Sequence, residues 1–168
     1  MKTGDLALVP PAPLEVAGPD CAMQDGDLLG EDSLRTAVIL SLFLDRRAGE
    51  DDIIPDGTGN RRGWWADTVA PMTAWGIGGG TSGEDRIGSR LWLLSREKQL
   101  AHVLDKARHY AEEALAWLIE DGVARAVSVT ASASRQGWLV LDIRITLPDG
   151  SLYAVTAETQ PGAVFNIR

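Results

Sequence analysis

The amino-acid sequence predicts an α+β protein in which two main helices pack on a small antiparallel β-meander. Three observations support this fold class. Residues 34–44 are almost wholly apolar, the segment from Ser95 to Asp121 carries apolar residues at helical spacing, and residues 123–158 alternate between apolar and polar. A length of 168 residues fits one domain around one core. We therefore expect an N-terminal arm at 1–30, a single α+β domain at 31–158, and a C-terminal tail or short edge strand at 159–168.

The composition restricts the classes of function. The chain has 24 acidic and 16 basic residues and a net charge of −8, which argues against a nucleic-acid partner because phosphate binding needs a basic face. The lone Cys21 excludes an internal disulfide and a multi-cysteine metal site. No apolar run approaches the roughly 20 residues of a membrane span, and prolines interrupt the first residues, unlike a signal peptide. We expect a cytoplasmic protein without cofactor, metal, membrane or small-molecule substrate.

The N-terminal arm is interrupted by four prolines within residues 1–30. Two apolar runs, at 5–9 and 14–17, could each form a brief strand. Prolines confine such strands to sheet edges or to arms. The arm either lies on the surface of its own domain or joins a partner as a strand, and the sequence leaves both alternatives open.

The first helix is predicted to begin after Ser33. This residue is a plausible N-cap, and Glu31 and Asp32 lie where the helix dipole favours negative charge. Arg46 and Arg47 supply the matching positive end. Because the segment between them is apolar on nearly every side, we expect it in the middle of the core.

The following segment, DRRAGEDDIIPDGTGNRRGWWAD at 45–67, is predicted to be a functional or interaction loop, since long loops with few aliphatic residues are uncommon in compact domains. Asp56, Thr58 and Asn60 alternate as ligands of a calcium loop would. Such a loop needs glycine at its sixth position, where Arg61 lies here, and a second arginine follows. Solvated charges and a turn are therefore the preferred interpretation.

Trp64 and Trp65 give this loop its aromatic character. If the segment is extended, the two indoles point to opposite faces. Large aromatic side chains beside arginine are typical of protein interfaces. We expect one indole to anchor the loop in the core and the other to be available to a partner.

A glycine-rich stretch, WGIGGGTSG at 75–83, matches neither a P-loop nor a GxGxxG fingerprint, so we interpret it as flexible backbone or a close approach to a partner. Glu84, Asp85 and Arg86 follow. Two carboxylates could form the acid and base of a glycosidase, but adjacent residues rarely span a sugar. A charged turn that contacts a partner is the preferred interpretation.

The longest predicted helix begins at the cap residue Ser95 and runs to about Asp121, where Gly122 stops it. Its His102 and His109 lie two turns apart, roughly 10 Å along the axis, which is too far to hold one metal ion unaided. Beyond the helix, the alternating residues predict strands joined by a hairpin turn at 148–150. The residues after Pro161 could add a short strand, and the edge of such a sheet must be covered or used.

Two motifs together resemble a known family. The segment LFLDRRAGEDDIIPDGTGNRRGWWAD at 42–67 and the segment GSRLWLLSREK at 88–98, followed by a long helix and a β-hairpin, resemble the Mu-like bacteriophage baseplate proteins named for gene product 46. The resemblance runs from about Asp25 to Glu158. That family is in turn similar to the T-even phage tail sheath initiator, which carries Glu-Pro-Arg before its long helix. Here Asp85 replaces the proline of that motif.

The resemblance implies a non-enzymatic structural component of a contractile-tail baseplate wedge. Such a protein would lie in the virion, after assembly in the host cytoplasm, and would bind other wedge proteins and the tail sheath protein. It would start sheath assembly by accepting strands at its sheet edge. We expect the partner contacts from eight residues of the loop and the charged turn: Arg61, Arg62, Trp64, Trp65, Asp67, Glu84, Arg86 and Arg90.

Two other hypotheses compete with this one. The first is a small lysozyme-like peptidoglycan hydrolase, with Glu84 as the acid and Asp85 or Asp67 as its partner. The second is a regulatory or immunity-type binding protein.

Overall fold

A computed structural model describes residues 34–63, 87–95, 101–134 and 138–160, and gives the backbone of short strands within 5–31 and of residues 163–167. The predicted α+β class is confirmed, because the helices pack on one face of an antiparallel sheet. Within the described ranges, none of the helices has the length and apolar character needed to cross a bilayer.

The N-terminal segment forms three small antiparallel ladders. Six strands of two residues each take part: β1 Asp5–Leu6, β2 Leu8–Val9, β3 Asp20–Cys21, β4 Met23–Gln24, β5 Asp27–Leu28 and β6 Gly30–Glu31. Strand β1 pairs with β6, β2 with β3, and β4 with β5. Two of these strands fall in the apolar run 5–9, whereas the run 14–17 lies outside the described residues.

The first helix, α1, spans Arg35–Phe43 and is largely buried, with Val38 and Leu42 at most 1% exposed. Its predicted ends are wrong. Leu34 occupies the N-cap without a side-chain hydrogen bond, and Glu31 belongs to β6 instead. At the other end Leu44 is already extended, so the two arginines at 46 and 47 lie beyond the last turn, where the dipole no longer acts on them.

The second helical region differs from the single long helix that the sequence predicts. A 3₁₀ helix spans Leu91–Leu94, and Ser95 follows it with helical φ and ψ, which an N-cap residue does not have. Helix α2 spans Ala101–Leu115, and a short α3 spans Trp117–Glu120. The two helices are separated by a turn at Ala116, whose carbonyl oxygen accepts hydrogen bonds from the amides of both Ile119 and Glu120.

Four strands form the main sheet in the order β10-β9-β8-β7, with every neighbouring pair antiparallel. Their bounds are Ala126–Ala133 for β7, Leu139–Thr146 for β8, Leu152–Gln160 for β9 and Ala163–Ile167 for β10. The predicted hairpin turn at 148–150 joins β8 to β9. There the carboxylate of Asp149 accepts hydrogen bonds from the hydroxyl and the amide of Ser151, which lower its pKa.

The core lies between the helices and the inner face of this sheet. Alternate residues of β8 point inward, and Leu141, Ile143 and Ile145 are at most 1% exposed. They share one buried cluster with Ala107 and Leu115 of α2. The opposite face of the sheet carries the exposed β8 residues 142 and 144 and, on β9, the exposed residues 152 and 154.

Candidate protein-binding surface

Residues 44–63 form a loop that is held against the segment 88–92; we call it the docked loop. The amide of Ser89 donates to the carbonyl oxygen of Leu44 at 2.9 Å, and the amide of Arg46 donates to the carbonyl oxygen of Ser89 at 3.0 Å. Farther along, the amide of Ala48 donates to the carbonyl oxygen of Arg61 at 2.9 Å, which joins the two arms of the loop. The hydroxyl of Ser89 also donates to the carbonyl oxygen of Leu42. The loop is therefore part of the fold.

Gly88 permits this close approach. Its φ is +90°, a conformation that side-chain-bearing residues rarely adopt. A Cβ atom at this position would collide with the carbonyl group of Leu44 and would lie 3.1 Å from the amide nitrogen of Arg46. Only glycine fits both the backbone conformation and the space.

Trp92 lies beneath the docked loop and contacts both of its arms. Its indole Nε1 donates to the carbonyl oxygen of Arg46 at 2.8 Å. The guanidinium of Arg62 lies 4.5 Å from the centre of the indole ring and also pairs with Asp45 at 2.8 Å. Trp92 thus forms a small apolar core beneath the loop, together with Ala48 and Ile54.

Arg90 joins the docked loop to α2. Its guanidinium donates to the carboxylate of Asp52 at 3.1 Å and to one oxygen of Glu113 at 2.8 and 3.1 Å. It also lies 4.8 Å from the centre of the Tyr110 ring. Arg46 adds a second ion pair to Glu113, at 3.2 Å. The charges of both acids are therefore balanced within the chain.

The electrostatic effects of this cluster are visible in two groups. Burial raises the pKa of the Tyr110 phenol above its ordinary value, and the negative charge of Asp52 adds to this. For Arg90, burial acts to lower the pKa, but the hydrogen bonds and charges of Glu113 and Asp52 outweigh it and raise the pKa. Arg90 remains a permanent cation, which suits it to a structural ion-pair role.

Of the eight residues predicted to contact partners, the structure describes Arg61, Arg62 and Arg90. The guanidiniums of Arg62 and Arg90 are directed at groups of the same chain, and 40% and 22% of their side chains are exposed. The other five lie outside the described residues: Trp64, Trp65, Asp67, Glu84 and Arg86. Asp85, the alternative partner of the hypothetical hydrolase acid, lies outside them as well.

The acidic turn of the docked loop binds its own backbone. The carboxylate of Asp56 accepts from the amide of Thr58 at 3.0 Å and from its hydroxyl at 2.7 Å, while Gly57 and Gly59 have positive φ. Such an Asx turn accounts for the alternating polar residues without an ion. Across the described ranges, no three His, Cys, Asp or Glu side chains are grouped as metal ligands.

A second surface feature is strand β7, which pairs with β8 and, among the strands that the structure describes, lies at the edge of the sheet. Its eight residues, AVSVTASA, include no charge and no proline, and their register with β8 is continuous from 126 to 133. Natural edge strands are commonly protected by lysine, proline or a bulge. Strand β10, at the opposite edge, has an irregular register between residues 163 and 165. The two edges therefore differ, and β7 is the regular one.

Sequence reasoning missed Ile53 of the docked loop. Its side chain is 88% exposed, whereas the neighbouring Ile54 packs against Ala48, Trp92 and Leu93. The signal in the sequence was a pair of isoleucines between acidic residues.

Comparison with known proteins identifies related sequences. The model of a family described as phage protein GP46 matches residues 34–152. The baseplate protein gp46 of Escherichia phage Mu is 53% identical over 131 residues, covering 77% of this chain and 81% of that protein. The Mu-like prophage FluMu protein gp46 of Haemophilus influenzae is 42% identical over 132 residues, covering 79% and 82%. No solved structure matches.

Proposed function

Because this chain belongs to the GP46 family of phage proteins, we propose that it is a structural subunit of the tail baseplate of a Mu-like phage. The Mu relative is named as a baseplate protein, and identity over most of both chains supports the same role here. In this proposal the protein belongs to the baseplate wedge, binds other wedge subunits, and starts assembly of the tail sheath. It does so in the host cytoplasm and remains in the virion.

The observation that carries this proposal is the edge of β7. An extended segment of another protein that lies beside β7 would gain main-chain hydrogen bonds along eight residues without needing a pocket. The inner face of β7 packs against the helices, since Val129 is buried in the core. The edge therefore belongs to a strand that is fixed in the fold. A regular, uncharged edge on a protein of net charge −8 is open to strand pairing while the rest of its surface opposes self-association.

Partner contacts from the loop complete the proposal. Arg61, Arg62 and the tryptophans that follow would contact wedge subunits, while Arg90 holds the docked loop in place through Asp52 and Glu113. Glu84 and Arg86 are also proposed to contact wedge subunits. The role requires no turnover, so the purified chain is expected to leave peptidoglycan intact. Lysis that Glu84→Gln abolishes would overturn the proposal.

Strand addition can be tested by charging the edge. Ser128 and Thr130 are exposed on the outer side of β7, opposite Arg144 and Asp142 of β8. The double variant Ser128→Lys/Thr130→Lys should fold and enter baseplates. Electron micrographs should then show that the tail sheath does not assemble on the baseplates that contain it. Leu152→Lys, also exposed but on β9, is the matched control and should assemble normally.

Hydrogen exchange gives a second measurement. When sheath protein is added to baseplates that contain this chain, amides of β7 should gain protection while those of the central strand β8 stay as they were. Normal sheath on the double variant, together with unchanged exchange in β7, would refute strand addition at this edge.

A further inference from the structure

The docked loop presents one aliphatic side chain to solvent. Ile53 is 88% exposed, more than the other exposed large hydrophobic residues of the described ranges, which are Leu40, Ile87, Ile119 and Leu152 at 38–62%. A singly exposed hydrophobic residue is common on protein surfaces. The surroundings of Ile53 distinguish it.

The backbone on both sides of Ile53 is fixed. On one side the carboxylate of Asp52 accepts from the amide of Gly49 at 2.8 Å and from Arg90 at 3.1 Å. On the other side Ile54 is packed against Trp92, and its carbonyl oxygen accepts from the amide of Gly57 at 3.2 Å. A partner that binds Ile53 would therefore pay little conformational entropy for ordering the loop.

The charge around Ile53 has one sign. Glu50, Asp51 and Asp56 are exposed, and there is no lysine or arginine between residues 48 and 60. Asp52 is the acid of this group that Arg90 neutralises. The chain around Ile53 therefore carries an excess of negative charge.

We propose that Ile53 inserts into an apolar pocket, bordered by lysine or arginine side chains, on another protein of the baseplate. The acidic border would steer the encounter and select a basic partner surface, and the isoleucine would supply the desolvated centre of the contact. A second copy of this chain fits poorly, because two acidic borders would repel each other. This inference rests on the proposed function and concerns a different surface from the β7 edge.

Binding to a purified baseplate subassembly that lacks this subunit tests the inference, with the full chain as the analyte. Loss of a buried isoleucine contact should reduce affinity by about tenfold or more for Ile53→Ser, and further for Ile53→Asp. Leu152→Ser, on the outer face of the sheet, should stay within about twofold of the unchanged chain. Glu50→Gln/Asp51→Asn should slow association, and added salt should remove that difference.

The outcomes separate the two proposals. All Ile53 variants should keep the melting temperature of the unchanged chain, since the side chain is exposed in the fold. If the unchanged chain binds and Ile53→Asp binds equally well, the inference is wrong and the proposed function stands. If the unchanged chain does not bind, both fail. If the purified chain self-associates and Ile53→Asp abolishes that self-association, then Ile53 binds a second copy of this chain. That result would also overturn the inference.

Discussion

Arg90 and Asp52 lie 38 residues apart in the chain, yet the guanidinium of one donates to the carboxylate of the other at 3.1 Å. The same guanidinium reaches Glu113 on α2 at 2.8 Å. One side chain therefore connects the docked loop, the 3₁₀ segment and the second helix.

Replacing Arg90 with alanine should destabilise the protein and loosen the loop. The change leaves Asp52 partly buried without its cation, and loss of such charged hydrogen bonds costs about 1–3 kcal/mol. Urea denaturation measures the free energy of unfolding, and limited proteolysis within residues 48–60 measures the loosening. The control is Arg108→Ala, which removes an exposed i,i+4 pair with Glu112 and should cost no more than about 0.5 kcal/mol. Equal losses in the two variants would contradict the connecting role of Arg90.

Gly88→Ala should be strongly destabilising, because the added methyl group collides with the carbonyl group of Leu44 at a φ of +90°. Strain and collision together should cost about 3 kcal/mol or more. Gly150→Ala is a matched control, since its φ is +88° and no atom lies within 4 Å of the added Cβ. That variant bears the conformational strain alone, about 1 kcal/mol. Thermal unfolding of both variants isolates the cost of the collision, and similar melting temperatures would argue against it.

The β-meander and the buried face of the second helical region could be predicted from sequence, because the residue patterns that indicate them are local. Alternation at 139–147 and 3.6-residue spacing from Val103 to Leu118 each fix which side is buried. The interruption at Ala116 carries no such signal, since neither glycine nor proline lies nearby. There the indole of Trp117 donates to the hydroxyl of Ser41 at 3.0 Å, 76 residues away in the chain. A contact between residues so far apart in the chain cannot be predicted from the local spacing of apolar residues.

The candidate surface was predicted less completely for the same reason. The sequence predicts that the arginines at 61, 62 and 90 contact partner proteins, but it does not assign the acids of the same chain that pair with Arg62 and Arg90, which are Asp45, Asp52 and Glu113. The predicted cap at Ser33 is wrong, because Leu34 occupies the N-cap without a side-chain hydrogen bond. The type of a capping residue alone does not fix the residue at which a helix begins.

The pKa of Tyr110 should lie above its ordinary value of about 10, because burial and then the charge of Asp52 oppose ionisation. A folded pKa above the unfolded value means that the contribution of Tyr110 to stability is complete below about pH 10 and is lost as the pH rises through the folded pKa. Ultraviolet titration of tyrosinate measures it. The chain has two tyrosines, so subtracting the curve of Tyr110→Phe isolates this group. In Asp52→Asn the pKa should fall, and an unchanged value would exclude Asp52 as a cause.

Trp65→Ala should weaken association with baseplate wedge proteins more than it lowers the melting temperature of the isolated chain. Tryptophan beside arginine is typical of residues that dominate binding energy, for which truncation commonly costs about 2 kcal/mol or more. Binding to the wedge subassembly and thermal unfolding are measured on the same preparation, with Trp64→Ala beside it. A larger effect on melting than on binding would assign Trp65 to the core.

The hairpins of the main sheet join segments that are neighbours in sequence, whereas Leu44 and Arg46 meet Ser89 across more than forty residues. Bringing distant segments together costs more chain entropy than closing a hairpin, and such contacts form late. We therefore expect folding to proceed through a state in which the meander is formed while the loop has not yet reached Gly88. In refolding of the full-length chain, this early state would present the β7 edge before Ile53 takes up its final position.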